Sequence, residues 1–512
     1  MLLVNSVINF GRCVSPPSVC IEIQNSDESS FHGNNSLTFT VSGTQHFSIA
    51  SNGDLTATDT SISSISDERL KKDKYYSNYY INFKITMDTL KILIAGLGTV
   101  GGGVVEILKK NKTIFEQKLK KKIKIVGVAS RRKVNISSQY YFKDAIEILN
   151  FEDYDILIET IGGSDGVAKK IIFDALKKGK NIITANKALL SKHGHEIAKL
   201  AEKNNCFIGY EAAIAGGIPL VCILKNFLAS NSVKKVYGIL NGTSNFILSK
   251  MLETKQDFAK ILEDAKNLGY AEADPTFDIN GLDTAHKLSI ITSIAFSRKI
   301  DFSSIYVAGI ENVELTDLEF AEILGYKIKL IGLTQNVHSK IQQFVYPCLI
   351  DKRSEIANVN NVLNGIIIES DSDGRIFLQG EGAGALPTAT SILSDLEKIS
   401  NQIHSSLFGV CSNKLVNSTA FKIDDREGSF YLRFITIDKP GVIADISKEF
   451  KKNKISMKSM LQEDPKNKKI KLVNIVVTTH ACKEKSMRKA LKTIDKLSVI
   501  KKKTVIYRIE NL

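Results

Sequence analysis

The stretch ILIAGLGTVGGGVVEIL, residues 92–108, passes from an apolar run through Gly96, Gly98 and Gly101 into a segment of helical period. Consecutive apolar residues closed by a glycine turn read as a strand buried on both faces, the mark of a parallel sheet. In G-x-G-x-x-G one missing side chain permits the turn, one lets a pyrophosphate reach the main chain, and one lets helix and strand touch. A lone GxGxxG also fits a plain turn, but the strand–turn–helix setting favours a dinucleotide.

Outward from this stretch the alternation continues. Short apolar runs at IKIVGVA (123–129), YDILIET (154–160), NIITAN (181–186) and CFIGYEA (206–212) are separated by amphipathic stretches such as 164–178 and 189–203. That order predicts an α/β fold in which residues 87–219 form a doubly wound Rossmann-type sheet. Residues 220–400 read as an α+β domain, with helices over 220–229, 244–268 and 281–297 and strands at VKKVYGILN, IQQFVYPCLI and GRIFLQG. Residues 401–428 read as a linker. Residues 429–512 give strand 430–437, helix 442–452, strands 455–461 and 470–479, helix 483–495 and strand 499–508, a βαββαβ order.

Residues 1–86 differ from the rest: Ser, Thr and Asn dominate, and lysine is absent before position 71. LTFTVSG and HFSIASNGDLTAT suggest strands around an Asn-Gly turn, yet the segment is too small and polar for a domain, and a poorly structured extension is expected. Met87 is a natural beginning for the main body, so residues 1–86 are expected to be dispensable.

The chain carries a formal charge of +14, but its lysine runs KLKKKIKI (118–125) and KKNKISMK (451–458) lack interleaved aromatics, so a solvated surface is expected rather than nucleic-acid binding. No apolar run approaches the roughly 18 residues that cross a bilayer, and the N-terminus makes a poor secretory signal. Seven scattered cysteines, none spaced CxxC, predict a reducing, cytoplasmic setting without a zinc site.

Other motifs carry chemistry. VASRRKV ends the second strand with Arg131 and Arg132 where an NAD site would place an acid, which suits the 2′-phosphate of NADP; exposed loop charges are the plainer alternative. NIITANKALLSKHG places Lys187 at a helix start, where the macrodipole disfavours a cation, so either an anion compensates it or it is solvated. GYEAAIAGGIPLV offers Glu211 and main-chain carbonyls, a hard oxygen set suited to a monovalent cation, although a buried, hydrogen-bonded glutamate is the plainer reading.

GYAEADPTFDINGLDTAHKL, residues 269–288, concentrates Glu272, Asp274, Asp278 and Asp283 ahead of Lys287. Asp283 and Lys287 share one helix face, and an isolated pair of this kind is usually a weak surface ion pair. The loop before them would repel itself unless cations or donors sit among its carboxylates. The ammonium group of a zwitterionic substrate is such a cation; calcium is a rival, but the spacing is not that of an EF-hand.

The glycine loop, TANKALLSKHG, YEAAIAGGIPL, LNGTSNFI and GYAEADPTFDINGLDTAHKL, in this order over 87–400, resemble homoserine dehydrogenase. The resemblance implies NADP-linked, sometimes NAD-linked, interconversion of aspartate 4-semialdehyde and homoserine in threonine and methionine biosynthesis, by a homodimer or homotetramer joined through the second domain. It makes Lys287 the acid/base and Asp283 its partner. Glu272 would hold the substrate amine, helped by the backbone near Gly269 and by Asp278, with Lys187 between cofactor and substrate. The cofactor would meet Gly96, Leu97, Gly98, Thr99, Val100, Gly101, Arg131, Arg132, Thr160, Lys187 and, from GEGAGALPTATSIL, Gly384. A sodium-type cation would sit on Glu211, Ile214, Gly216 and Ile218. The tail, with IDKPGVIADIS as its first turn, resembles an ACT domain, which implies threonine as effector; departures at QEDPKNKKIK leave the effector site open.

Eighty-six residues cannot hold an aspartate kinase, so a monofunctional enzyme is expected. A phosphate-dependent semialdehyde dehydrogenase would instead need a nucleophilic cysteine, for which Cys206 and Cys222 are poor candidates. A sensor without catalysis is the rival of a different class.

Overall fold

The computed structural model describes residues 88–132, 138–403, 405–462 and 472–512, and the backbone of four strands nearer the N-terminus. Those four are β1 (Ser29–His32), β2 (Ser36–Val41), β3 (Gln45–Ala50) and β4 (Leu55–Ala57), an antiparallel meander. β2, β3 and β4 fall on the LTFTVSG and HFSIASNGDLTAT stretches read as strands. The Asn-Gly turn at 52–53 and Met87 lie outside the described residues.

The glycine stretch forms β5 (Thr89–Ala95), its turn, and α1 (Thr99–Leu119). Then come β6 (Lys122–Ala129), β7 (Tyr140–Phe142), β8 (Ile156–Glu159), α2 (Val167–Lys177), β9 (Asn181–Thr184), α3 (Lys187–Lys203) and β10 (Ile208–Gly209). The sheet order is β10-β9-β8-β5-β6-β7, with β5–β8, β8–β9, β9–β10 and β6–β7 parallel. Ile92, Leu93, Ile94, Ile156, Leu157 and Ile158 are fully buried, which is why these runs contain no polar alternation. The chain reverses its winding at β5, so the glycine turn stands at the topological switch point, where open α/β sheets bind ligands.

The second body is built on a large sheet. β11 (Val233–Ile239) is followed by α4 (Gly242–Thr254), α5 (Phe258–Asn267), the short α6 (Thr276–Ile279) and α7 (Leu282–Phe296). The single helix expected over 244–268 is two, broken at Lys255, whose φ of 57° is left-handed. After β12 (Tyr306–Val307) and α8 (Leu315–Ile323) come β13 (Tyr326–Val337), β14 (Lys340–Asp351), β15 (Leu363–Ser370), β16 (Arg375–Glu381) and α9 (Ala385–Ser400).

Residues 401–428 are not a free linker. Leu407, Phe408 and Leu415 are buried in the same cluster as Ile171, Leu190 and Ile197 of the Rossmann helices, and β17 (Thr419–Ala420) pairs with β14. The apolar side chains, too few to stand out in a polar stretch, are what pull the segment onto the body.

The tail follows its expected order: β18 (Glu427–Ile437), α10 (Val442–Lys452), β19 (Met457–Gln462), β20 (Leu472–Thr479), the two-residue β21 (Cys482–Lys483), α11 (Glu484–Ile494) and β22 (Val505–Glu510). Its sheet is not separate. β22 pairs in parallel with β14, giving the continuous order β16-β15-β11-β13-β14-β22-β18-β20-β19. Buried Arg433 of β18 reaches Asp317 and Glu314 at the start of α8, and Tyr431 also donates to Asp317.

Candidate active site

The glycine turn is shaped by main-chain contacts. Gly96 has φ 101°, and a Cβ there would lie 2.9 Å from the Thr160 carbonyl, while one on Gly101 would lie 2.0 Å from Gly96 O. Gly98 differs: a Cβ there would meet nothing within 4 Å. The protein does not need that space for its own packing, and it faces the place where a pyrophosphate would approach, so the turn fits a dinucleotide. Leu97, Thr99 and Val100 complete the turn and the first residues of α1. The Thr160 hydroxyl donates to Gly96 O at 2.7 Å. A Cβ on Gly103 would lie 2.5 Å from Ala385 O, so the α9 start at Gly384 (φ 119°) stands beside the same turn.

Arg131 and Arg132 are exposed just beyond β6, whose last carbonyl, Ala129 O, accepts from Gly96 N at 3.0 Å. Tyr141 donates to Ser130 O and Arg132 O, both at 2.7 Å, which fixes this loop.

At the mouth of the second body, α7 and the start of α3 converge. Asp283 is almost fully buried and bridges two lysines, Lys187 Nζ at 3.0 Å on Oδ1 and Lys287 Nζ at 2.9 Å on Oδ2. Lys287, also buried, donates to Leu240 O at 2.6 Å. Asn241 Nδ2 donates to Asp283 Oδ2 at 2.9 Å and to Asp278 Oδ1 at 2.8 Å, while its Oδ1 caps α4 by accepting from Ser244 N. Glu272 is exposed and acts electrostatically on Lys187. Gly269 (φ 75°) closes α5 just before it. Asp274 is spent locally, accepting from Thr276 N at 3.1 Å.

The charges explain the protonation equilibria. Burial lowers the Lys287 ammonium below its ordinary value; Asp283 opposes this and Lys187 adds to it. Of the two opposing influences readable in the sequence, burial prevails. Lys187 is held above its ordinary value by Asp283, against burial. Burial alone would raise the Asp283 carboxyl, but Lys287, Lys187 and Asn241 outweigh it and hold that carboxyl well below the usual range. Asp278 is raised by burial and by Asp283.

Sequence reasoning named Lys187, Asp278, Asp283 and Lys287, and the structure brings these four together. It missed Asn241, although LNGTSNFI had been singled out; an Asn between a strand and a helix is an N-cap signal. It also missed Glu159, fully buried at the end of β8, which accepts from Ile161 N, Gly162 N and Thr184 Oγ1 and so braces the loop after that strand.

Glu211, Ile214, Gly216 and Ile218 lie apart from this cluster, after β10. The Glu211 carboxylate accepts from Val221 N and Cys222 N and sits 3.4 Å from Lys398 Nζ. Gly216 O accepts from Ser391 Oγ, and Ile218 O from Leu220 N. The Glu211 carboxylate and the carbonyls of Gly216 and Ile218 already accept hydrogen bonds and an ammonium is in place, so the residues do not fit the expected sodium site. The plainer reading, a buried hydrogen-bonded glutamate, is what the geometry gives. Cys206 donates weakly to Leu176 O and Asn204 O, and burial raises its thiol, so it is no activated nucleophile.

A glycine turn at the switch point, with a buried lysine–carboxylate centre in the adjoining body, defines a nicotinamide-nucleotide dehydrogenase. Two family models match: the homoserine dehydrogenase NAD-binding domain over residues 96–211 and homoserine dehydrogenase over residues 219–396. The homoserine dehydrogenase of Neisseria gonorrhoeae is 37% identical over 436 residues, covering 83% of this chain and 100% of that protein. That of Bacillus subtilis is 33% identical over 433 residues, covering 83% and 99%. The crystal structure of a homoserine dehydrogenase from Thiobacillus denitrificans superposes with a TM-score of 0.78 at 33% identity, covering 83% and 99%. The chain belongs to the homoserine dehydrogenase family, oxidoreductases acting on CH–OH groups.

Proposed function

We propose that the protein reduces L-aspartate 4-semialdehyde reversibly to L-homoserine with NADPH, as a cytoplasmic enzyme of threonine and methionine biosynthesis. The observation that carries this reading is the Lys187–Asp283–Lys287 bridge. Bound nicotinamide supplies or accepts the hydride. Lys287 delivers a proton to the aldehyde oxygen as charge develops there, and takes it back when homoserine is oxidised. Asp283 holds the Lys287 side chain in place through the 2.9 Å bond, and burial lowers the Lys287 ammonium below its ordinary value. Glu272, Asp278 and the backbone at Gly269 bind the substrate amine. Arg131 and Arg132 favour the 2′-phosphate of NADP over NAD, and Gly384 and Thr160 border the nucleotide.

The tail's strand order, β22-β18-β20-β19, supports an ACT-type module with threonine as its effector; residues 463–471, which include most of QEDPKNKKIK, lie outside the described residues. β19 ends the sheet and exposes Met457 and Met460, an edge that a second copy would cover in a homodimer or homotetramer.

The test is NADPH oxidation with aspartate 4-semialdehyde, compared with NADH and with and without threonine. Activity that disappears in Lys287→Ala while NADPH still binds supports the assignment; wild-type protein that leaves the semialdehyde unreduced overturns it. Glu272→Ala should raise the Michaelis constant for the semialdehyde far more than that for NADPH. Equal effects on both would remove Glu272 from amine binding.

A further inference from the structure

We propose that Lys398 supplies from within the chain the positive charge that a bound sodium or potassium ion would otherwise bring to the Glu211 turn, so that catalysis and stability are independent of monovalent cations. The inference rests on the homoserine dehydrogenase reading, because the family resemblance is what places a cation there.

The argument is a count of charges. Glu211 and Asp395 are both nearly inaccessible, with relative exposures of 2% and 5%. They are close neighbours, since Asp395 Oδ2 accepts from Glu211 N at 2.8 Å. Two buried carboxylates this close repel, and each needs compensation. Lys398, one turn beyond Asp395 on α9, puts its ammonium 3.1 Å from Asp395 Oδ1 and 3.4 Å from Glu211 Oε2. Lys225 stands over the Tyr210 ring at 5.4 Å and lines the same cavity as Asp395 and Lys398. Two anions are thus matched by two cations of the chain itself.

An added ion would meet a balanced cluster. Asp395, Lys225 and Lys398 line one small cavity, so a cation entering there faces two ammonium groups. Of the oxygens the resemblance assigns to the ion, those of the Glu211 side chain, Gly216 and Ile218 already accept hydrogen bonds. Inserting a further positive charge would leave it uncompensated in a desolvated place.

The experiment measures semialdehyde reduction and the thermal midpoint in NaCl, KCl and tetramethylammonium chloride at equal ionic strength. Wild-type rates should agree across the three salts within about twofold, since screening is held constant. Lys398→Met keeps the stem and removes the charge. Its midpoint in tetramethylammonium chloride should fall by about 3 to 6 °C, and sodium or potassium should restore midpoint and rate saturably, as mass action requires of a bound ion. Lys398→Gln repeats the measurement if the methionine variant does not accumulate folded. A wild-type enzyme that needs sodium or potassium overturns the proposal, and so does a Lys398 variant whose midpoint ignores both ions. The midpoint needs no turnover, so this arm stands even if the substrate is other than the semialdehyde.

Discussion

Replacing Lys187 with methionine should move the alkaline limb of the pH–rate profile upward, for a reason the Asp283 bridge makes quantitative. The two ammonium groups bond opposite oxygens of one carboxylate, at 3.0 and 2.9 Å. Two ammonium groups about 6 Å apart would repel by about 0.7 kcal/mol at the dielectric of water, or about 2.8 kcal/mol at an effective value of about 20. In the proposed mechanism Lys287 carries the transferable proton, and its ammonium is already lowered, first by burial and then by Lys187. A group with a lowered folded-state pKa of this kind is protonated below that value and loses its proton as pH rises through it. Removing Lys187 lifts the repulsion and leaves Asp283 wholly to Lys287, so the protonated form persists to higher pH. With a factor of ten for every 1.4 kcal/mol or so, the protonated fraction well above the wild-type limb should rise about three- to hundredfold. The readout is kcat/KM for semialdehyde reduction across pH, expressed as the ratio of alkaline to neutral rates within each variant, which cancels any loss in overall rate. Homoserine oxidation needs the neutral amine, so its rise should also shift to higher pH. Lys187→Arg keeps the charge and should leave both limbs in place. A limb that stays put or moves down in Lys187→Met would refute the assignment of the titration to Lys287.

Gly98→Ala should raise the Michaelis constant for NADPH while leaving the thermal midpoint unchanged, because its Cβ meets no protein atom; Gly101→Ala should instead lower the midpoint, its Cβ being 2.0 Å from Gly96 O. Calorimetry with nucleotide titration separates the two. Asn241→Leu removes a donor shared by Asp278 and Asp283; the Asp278 carboxyl, already raised, should rise further, so the acid limb of kcat/KM should move to higher pH. Arg433→Met leaves buried Asp317 with Tyr431 as its remaining donor among the described residues, and urea unfolding should show a loss of about 3 to 5 kcal/mol, recovered when Asp317→Leu is added.

The parallel sheet was legible because its strands are buried on both faces, so their apolar runs carry the message without help from the rest of the chain. β13 was not. YKIKLIGLTQNV mixes lysines with apolar residues, yet Lys329 is 2% exposed, its ammonium bonded to Asn245 Oδ1, Val359 O and Asn360 Oδ1. A lysine satisfied by three neutral oxygens from distant segments looks, in sequence, like surface. The union of the tail with the body was hidden for a similar reason: β22 joins β14 through main-chain bonds across about 160 residues, and backbone pairing leaves little trace in side-chain pattern. Arg433 on β18 and Asp317 on α8 are likewise ordinary charges until the fold buries them against each other.

The site was legible to the extent that its chemistry sits in one stretch. Four carboxylates between 272 and 283 looked excessive for a loop, and the structure divides their tasks. Asp274 accepts from Thr276 N at the start of α6, and Asp283 is committed to two lysines. Asp278 is held by Asn241, and Glu272 remains at the exposed rim, coupled to Lys187 through space. Setting Asp274 aside, three carboxylates face two ammonium groups, which leaves a single negative charge in excess at a mouth that is otherwise balanced. Under the proposed function that excess would be matched by the ammonium of an amino-acid substrate, with its carboxylate better placed toward Lys187 than toward the acidic rim. Lys187 arrives on the first turn of α3 in the nucleotide-binding body and Asp283 on the first turn of α7 in the other, so this charge balance is assembled only when helix starts from both parts of the chain meet. No window of sequence contains that meeting, which is why the pair Asp283–Lys287 could be read from the helix but the bridge to Lys187 could not.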